Sequence, residues 1–351
     1  MALVLVLAAA LWGLGHLMKV PVAGRQAMVG LLFVAVVSLH LVLPAGHPLR
    51  EATGGSAGEW LVLGGLVALV WLYARGLGRL RRRVRPENRP PPDSAAEGAF
   101  RAGELDRYAR HIMLREIGGP GQRALKNARV LVIGAGGLGA PVMLYLAAAG
   151  VGTIGVIDDD VVEETNLQRQ IIHADARIGM PKVFSAEAAI KALNPHVTVR
   201  PYHRRLDGAI AHDLFTDYDL IIDGTDNFDT RYLANRVAVE LSLPMISGAL
   251  AQWEGQVSTF HPAGGAPCYR CIFPAPPAPH LAPSCAEAGV LGPLPGIIGT
   301  MMAAEAVKEI TGAGQGLRGR MVIWDALFGE SRTIALKPRA DCPDCGGGKG
   351  A

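Results

Sequence analysis

Apolar positions follow two different patterns along this chain of 351 residues. Residues 2–18, 27–46 and 60–73 are long apolar stretches, with Lys19, Arg25, Arg50, Glu51 and Glu59 lying between them. From Arg129 onward the apolar residues come in short runs that end in glycine or acidic residues. A helix needs about 20 residues to cross a bilayer core, and spans near 17 are tolerated. The first two stretches qualify. The third reaches that length if Gly58, Glu59, Arg75 and Leu77 extend it, with Trp60, Trp71 and Tyr73 as interfacial anchors. Met1 to Val4 carries no basic side chain, which argues against a signal peptide. The pattern therefore predicts a membrane region over residues 1–78 with three transmembrane helices; the alternative is a buried helical hairpin.

Arg75, Arg79, Arg81, Arg82, Arg83 and Arg85 crowd the end of this region, and Lys19 and Arg25 lie between its first two stretches. By the positive-inside rule the amino terminus is expected outside and the rest of the chain in the cytoplasm, the topology of a multi-pass inner-membrane protein. Residues 79–100 are basic and Pro-rich with little apolar content, so they read as a semi-rigid linker.

Residues 101–351 alternate between strand and helix. Strands are predicted at 130–133, 153–157, 197–201 and 219–223, and helices at 138–149, at 182–193 and from about Asp229. This order predicts an α/β fold built on a Rossmann-like doubly wound sheet. Between the first strand and its helix stand Gly134, Gly136, Gly137 and Gly139. Glycine there serves a tight turn, backbone approach to phosphate and close helix–strand packing, with the helix amino terminus presenting its positive end to an anion. Asp158 ends the second strand, where a carboxylate accepts hydrogen bonds from ribose hydroxyls, in ATP or NAD alike. Arg169 and Lys182 add the cations a triphosphate demands. Asp226 follows the strand at 219–223 and suits magnesium as a hard oxygen ligand; its other reading is the N-cap of the next helix.

Composition changes this picture in two places. Half of the residues are hydrophobic and the mean hydropathy is +0.25, an excess concentrated at the front. The net charge of +3 also comes largely from the front, so nucleic acid is not implied as a partner. Lipid headgroups suit the arginine cluster better. Cys268-Tyr269-Arg270-Cys271 and Cys342-Pro343-Asp344-Cys345 form two Cys-x-x-Cys pairs, the arrangement of a closed four-thiolate zinc site that would staple the C-terminal region to the sheet. Cys285, the fifth cysteine, follows a Pro-rich stretch and is a possible reactive thiol or a structural one.

From Arg107 to about Lys308 the chain resembles the ThiF/MoeB/HesA family, bacterial relatives of ubiquitin-activating enzymes, and within it the MoeB branch. The resemblance rests on Arg107-Tyr108-Ala109-Arg110, the glycine motif, Asn166-Leu167-Gln168-Arg169-Gln170, Gly179-Met180-Pro181-Lys182, Gly224-Thr225-Asp226-Asn227, the cysteine pairs, and residues 287–293. It implies ATP-dependent adenylation of the C-terminal glycine carboxylate of a small ubiquitin-like sulfur carrier ending in Gly-Gly, with release of pyrophosphate, in molybdenum cofactor biosynthesis. A thiamine sulfur carrier is the alternative substrate. The implied cofactors are ATP, Mg2+ and Zn2+. Asn166 and Asn227 join the nucleotide-binding set, Asp226 becomes the magnesium-associated catalytic residue, and Arg110 matches an arginine supplied across a homodimer interface. Relatives use a cysteine at the position of Cys285 in thioester or persulfide chemistry. An NAD-dependent oxidoreductase would account for the glycine motif and Asp158 alone, and a non-catalytic binding module would leave the phosphate-site residues without a purpose.

Overall fold

The computed structural model describes residues 1–18, 20–44, 46–84, 100–101, 103–277 and 289–346, and the chain divides into two units, Met1–Asp93 and Ser94–Ala351. The first contains helices α1 (Ala2–Leu17), α2 (Val22–Val42), α3 (Pro48–Thr53) and α4 (Ala57–Val84). Proline opens α3 at a position where its missing N–H costs nothing, and Gly54, at φ 62°, ends it. Val4, Val36 and Trp60 form a small buried cluster. The Trp60 indole N–H donates to the Gly54 carbonyl at 2.9 Å, and His40 Nε2 pairs with the Thr53 hydroxyl at 2.9 Å. Most other large apolar side chains face outward, among them Leu31, Val42 and Leu66.

By length and composition the segments Gly24–Val42 and Pro48–Val70 can cross a membrane, whereas α1, at 16 residues, is shorter than such a span. The sequence expectation of three spans is thus matched by two long enough segments among the described residues. The last helix also continues past Tyr73. It runs for 28 residues to Val84, so Arg79, Arg81, Arg82 and Arg83 belong to a helix rather than to a linker. Arginine is a good helix former, and no proline intervenes before Pro86.

The second unit opens with α5 (Glu104–Ile112) and α6 (Gly118–Asn127). Then come β1 (Arg129–Ile133), α7 (Gly139–Ala149), β2 (Thr153–Ile157), α8 (Lys182–Leu193), β3 (Thr198–Tyr202), α9 (Ala211–Thr216), β4 (Leu220–Asp223) and α10 (Phe228–Glu240). The chain continues through β5 (Met245–Leu250), β6 (Glu254–Phe260), the short α11 (Tyr269–Ile272), α12 (Pro293–Thr311), β7 (Arg320–Asp325) and β8 (Glu330–Ala335). All eight strands form one sheet in the order β3-β2-β1-β4-β5-β6-β7-β8. The first five are parallel, and β6, β7 and β8 are antiparallel. The doubly wound half is as the sequence predicts, but the whole sheet is mixed. Only Ala251, Gln252 and Trp253 join β5 to β6, too few residues for the crossover that a parallel pair needs.

Alternate residues of the strands feed two cores. Val130, Val132, Ile154 and Ile222 pack under α7, α8 and α12, while Leu131, Ile133, Ile157 and Ile221 pack under α9 and α10. Strand order reverses between β1 and β4, so a crevice opens at their carboxyl ends. Glycine sets how closely α7 approaches that crevice. Gly134 turns at φ +92°, and a Cβ on Gly139 would lie 2.0 Å from the Gly134 carbonyl oxygen.

Candidate functional site

The crevice is a cleft of about 690 Å³, and the glycine turn, Asp158, Arg169, Lys182 and Asp226 all line it. Gly134, Gly136 and Gly137 form its floor at the amino end of α7, where backbone dipoles favour an anion. A side chain at Gly137 would come within 3.0 Å of Pro295 and 3.8 Å of the Arg169 stem, so glycine here keeps the floor uncrowded.

Asp158 is built into the turn. Its Oδ2 accepts from the Ala135 amide at 2.7 Å and its Oδ1 from the Asp160 amide at 2.8 Å. Burial raises its pKa above the usual carboxylate value, against the pull of the Ala135 amide and of Lys182. Lys182, the first residue of α8, is buried, and its ammonium donates to Asp160 Oδ2 at 2.7 Å. Arg169 donates through Nη2 to Asn166 Oδ1 at 3.0 Å and through Nη1 to the Thr165 carbonyl at 3.3 Å. His173 supports the turn from beneath: its Nε2 lies 2.9 Å from the Ala135 carbonyl and its Nδ1 2.9 Å from the Ser185 hydroxyl. The carbonyl can only accept, so Nε2 carries the proton and Nδ1 accepts from Ser185.

The opposite wall is the loop after β4. Asp223 is fully buried and accepts from the Thr225 amide at 3.1 Å, the Thr225 hydroxyl at 2.6 Å and the Ser247 hydroxyl at 2.7 Å. Arg231 of α10 approaches it at 3.8 Å and donates through Nη2 to the Thr225 and Gly248 carbonyls. The helix is capped by Asn227, whose Oδ1 accepts from the Thr230 amide at 2.9 Å. Asp226 is therefore not the cap, and its carboxylate stands exposed on the cleft in the field of Arg231.

Two sequence assignments, those of Asn166 and Gly139, come out differently. Asn166 is absent from the cleft lining and orients Arg169 instead. Gly139 likewise lies behind the floor, serving helix–strand contact. Arg110 is exposed on α5, its Nη1 3.8 Å from Met113 Sδ, and does not line the cleft of its own chain. Cys285 lies outside the described residues. The sequence reading missed Arg204, Arg205, Arg231 and Tyr269, all of which line the cleft. For Arg231 a signal existed: it shares the spacing of Ala234, Asn235 and Ala238 on the buried face of α10.

The cysteine pairs do converge. The sulfurs of Cys268, Cys271, Cys342 and Cys345 lie within 4.8 Å of one another, with Cys268–Cys342 at 3.5 Å and Cys271–Cys345 at 3.3 Å. A tetrahedral zinc with bonds of about 2.3 Å sets its sulfurs about 3.8 Å apart, so the donor set fits that ion. Burial pushes the Cys345 thiol up to about 12 and raises Cys268 in the same way, so these two ionise only beside a cation, whereas Cys342 is lowered against its burial by the Cys345 and Asp344 amides.

The sequence model of the ThiF family matches residues 108–344. The chain belongs to the ThiF family. It is 47% identical over 247 residues to the sulfur carrier protein adenylyltransferase of Thermus thermophilus, covering 69% of this chain and 91% of that one. It is 50% identical over 256 residues to the probable adenylyltransferase/sulfurtransferase MoeZ of Mycobacterium tuberculosis, covering 72% of this chain and 65% of MoeZ. The crystal structure of E. coli MccB with ATP shares the fold, with a TM-score of 0.60 at 20% identity over 72% of this chain and 77% of that one.

Burial lowers the pKa of His173 from its ordinary value of 6.5, so the folded protein favours the neutral ring. The unfolded chain then binds the extra proton first, and stability is full above the unfolded value and declines as pH falls toward the folded one. The melting temperature is expected to fall as pH drops below about 6.5. His196 and His261 are shifted in the same direction by burial, so the part due to His173 is the difference between wild type and His173→Gln. Identical pH profiles for the two proteins would show that His173 is not the group responsible.

Proposed function

We propose that this chain is an adenylyltransferase that activates the C-terminal glycine carboxylate of a small ubiquitin-like sulfur carrier with ATP, in molybdenum cofactor biosynthesis. The observation that carries this reading is the meeting of the glycine turn, Asp158, Arg169, Lys182 and Asp226 around one cleft. Family membership and adenylyltransferase relatives of 47% and 50% identity support the same reaction.

In this reading one carboxylate oxygen of the carrier attacks the α-phosphorus of ATP. A new O–P bond forms, the bond between the α-phosphorus and the oxygen that bridges it to the β-phosphorus breaks, and its electron pair leaves on that oxygen with pyrophosphate. No electron acceptor is needed. The protein positions the reactants and neutralises charge. The amides of the turn face the phosphates, Asp158 accepts from the ribose, and Arg169 and Lys182 meet the β- and γ-phosphates. A magnesium ion held at Asp226 would screen the phosphate charge from the incoming carboxylate. The four cysteines would hold zinc as a staple, with no coordination position left for substrate.

Arg110 lies off the cleft of its own chain, which suits an arginine that completes the site of a second copy, and so a homodimer. The apolar, outward-facing helices of the first unit suit a bilayer. We place them in the inner membrane, with the amino terminus outside and the catalytic unit in the cytoplasm.

Asp226→Ala is expected to lower carrier-dependent ATP–pyrophosphate exchange by at least about a hundredfold, the size of a lost charge-stabilising group. Exchange at the wild-type rate would overturn the assignment of Asp226. Mixing inactive Arg110→Ala and Asp226→Ala chains should restore part of the activity, because one composite site in the hybrid is intact; no recovery under conditions where the chains exchange would exclude action in trans. Alkaline carbonate washing of membranes should leave the chain in the pellet, and its appearance in the supernatant would refute the membrane reading.

A further inference from the structure

The cysteine centre and the cleft share one helix. On α10, Asn235 is 1% exposed and holds both Cys-x-x-Cys turns at once: its Oδ1 accepts from the Tyr269 amide at 2.8 Å, and its Nδ2 donates to Asp344 Oδ2 at 2.7 Å. Arg270 closes the same contact by donating to Asp344 Oδ1 at 3.0 Å. Tyr269, the residue after Cys268, sends its ring into the cleft wall between Tyr232, Phe260 and Phe273, with centroids 5.5, 5.6 and 4.8 Å away. Its hydroxyl interacts with the Arg231 guanidinium. Arg231 in turn fixes the Thr225 and Gly248 carbonyls, at the base of the loop that presents Asp226. On the other side, the Tyr232 hydroxyl donates to the Phe273 carbonyl at 2.8 Å and so pins the cleft wall to α10.

We propose that Tyr269 is a positioning residue through which the cysteine centre and the nucleotide cleft control each other's occupancy. The inference rests on the nucleotide reading of the cleft. A knuckle that shifts when its metal leaves carries the Tyr269 backbone with it, because Tyr269 directly follows Cys268 and Asn235 joins its amide to the second cysteine turn through Asp344. The ring and hydroxyl then leave Arg231, and the Asp226 loop loses its support. Linkage is reciprocal, so a nucleotide that holds the loop in place slows loss of the metal by stabilising the same arrangement. A packed aromatic cluster without this coupling would leave metal release indifferent to nucleotide.

The test is zinc transfer from the full-length, zinc-loaded chain to a chromogenic chelator, with and without saturating magnesium and a non-hydrolysable ATP analogue. Transfer from wild type should be slowed by about fivefold or more, and zinc depletion should weaken analogue binding by a similar factor. Tyr269→Phe removes only the hydroxyl; it should retain one zinc per chain and keep less than about twofold protection. Asn235→Asp, which keeps an acceptor for the Tyr269 amide and loses the donor to Asp344, should also lose protection, and it serves if Tyr269→Phe does not fold. Full protection in these variants, or none in wild type with the analogue shown to bind, overturns the coupling. An analogue that does not bind wild type at all overturns the nucleotide reading itself, a separate result.

Discussion

Helix α7 can reach the edge of the sheet only because no side chain stands between them. A methyl group on Gly139 would overlap the carbonyl of Gly134, whose own backbone adopts a conformation that other residues rarely occupy. Pushed outward, α7 would take its amino end away from the crevice, and the Ala135 amide would leave Asp158. The His173 bridge to the Ala135 carbonyl would go with it. The charged groups of the cleft are thus spaced by a contact between atoms that carry no charge.

The parallel half of the fold was legible because its signals are local. The strand over Thr153–Ile157 and the helix over Lys182–Leu193 begin and end where the sequence places them. The fifth parallel strand and the antiparallel half were not: β5 contains Gly248, and all of β8 is exposed, so neither offers the apolar run or the alternation by which a strand is recognised. At the site, residues that act through their type were found. Those that act through long-range placement were not, since nothing near Arg231 says that it will meet Asp223 or Tyr269. Asn166 shows the converse. Its motif was recognised, yet its contact is with Arg169, a distinction that only geometry supplies.

Burying Asp223 and Arg231 together sacrifices solvation that their attraction need not recover, and such pairs contribute little to stability. What they contribute here is location. The carboxylate gathers Thr225 and Ser247, the guanidinium gathers the Thr225 and Gly248 carbonyls, and the ends of β4 and β5 are fixed to each other. The family match begins at residue 108, after the helices of the first unit.

The bond between Lys182 and Asp160 has a consequence for traffic through the cleft. The ammonium is sheltered, with 6% of its side chain exposed, whereas its carboxylate partner is 65% exposed. A visiting anion must outbid that carboxylate, so weakly charged salts and metabolites gain little by entering. The same competition lowers the net gain from holding any anion at Lys182, a departing pyrophosphate included. Competition of this kind favours turnover over tight retention.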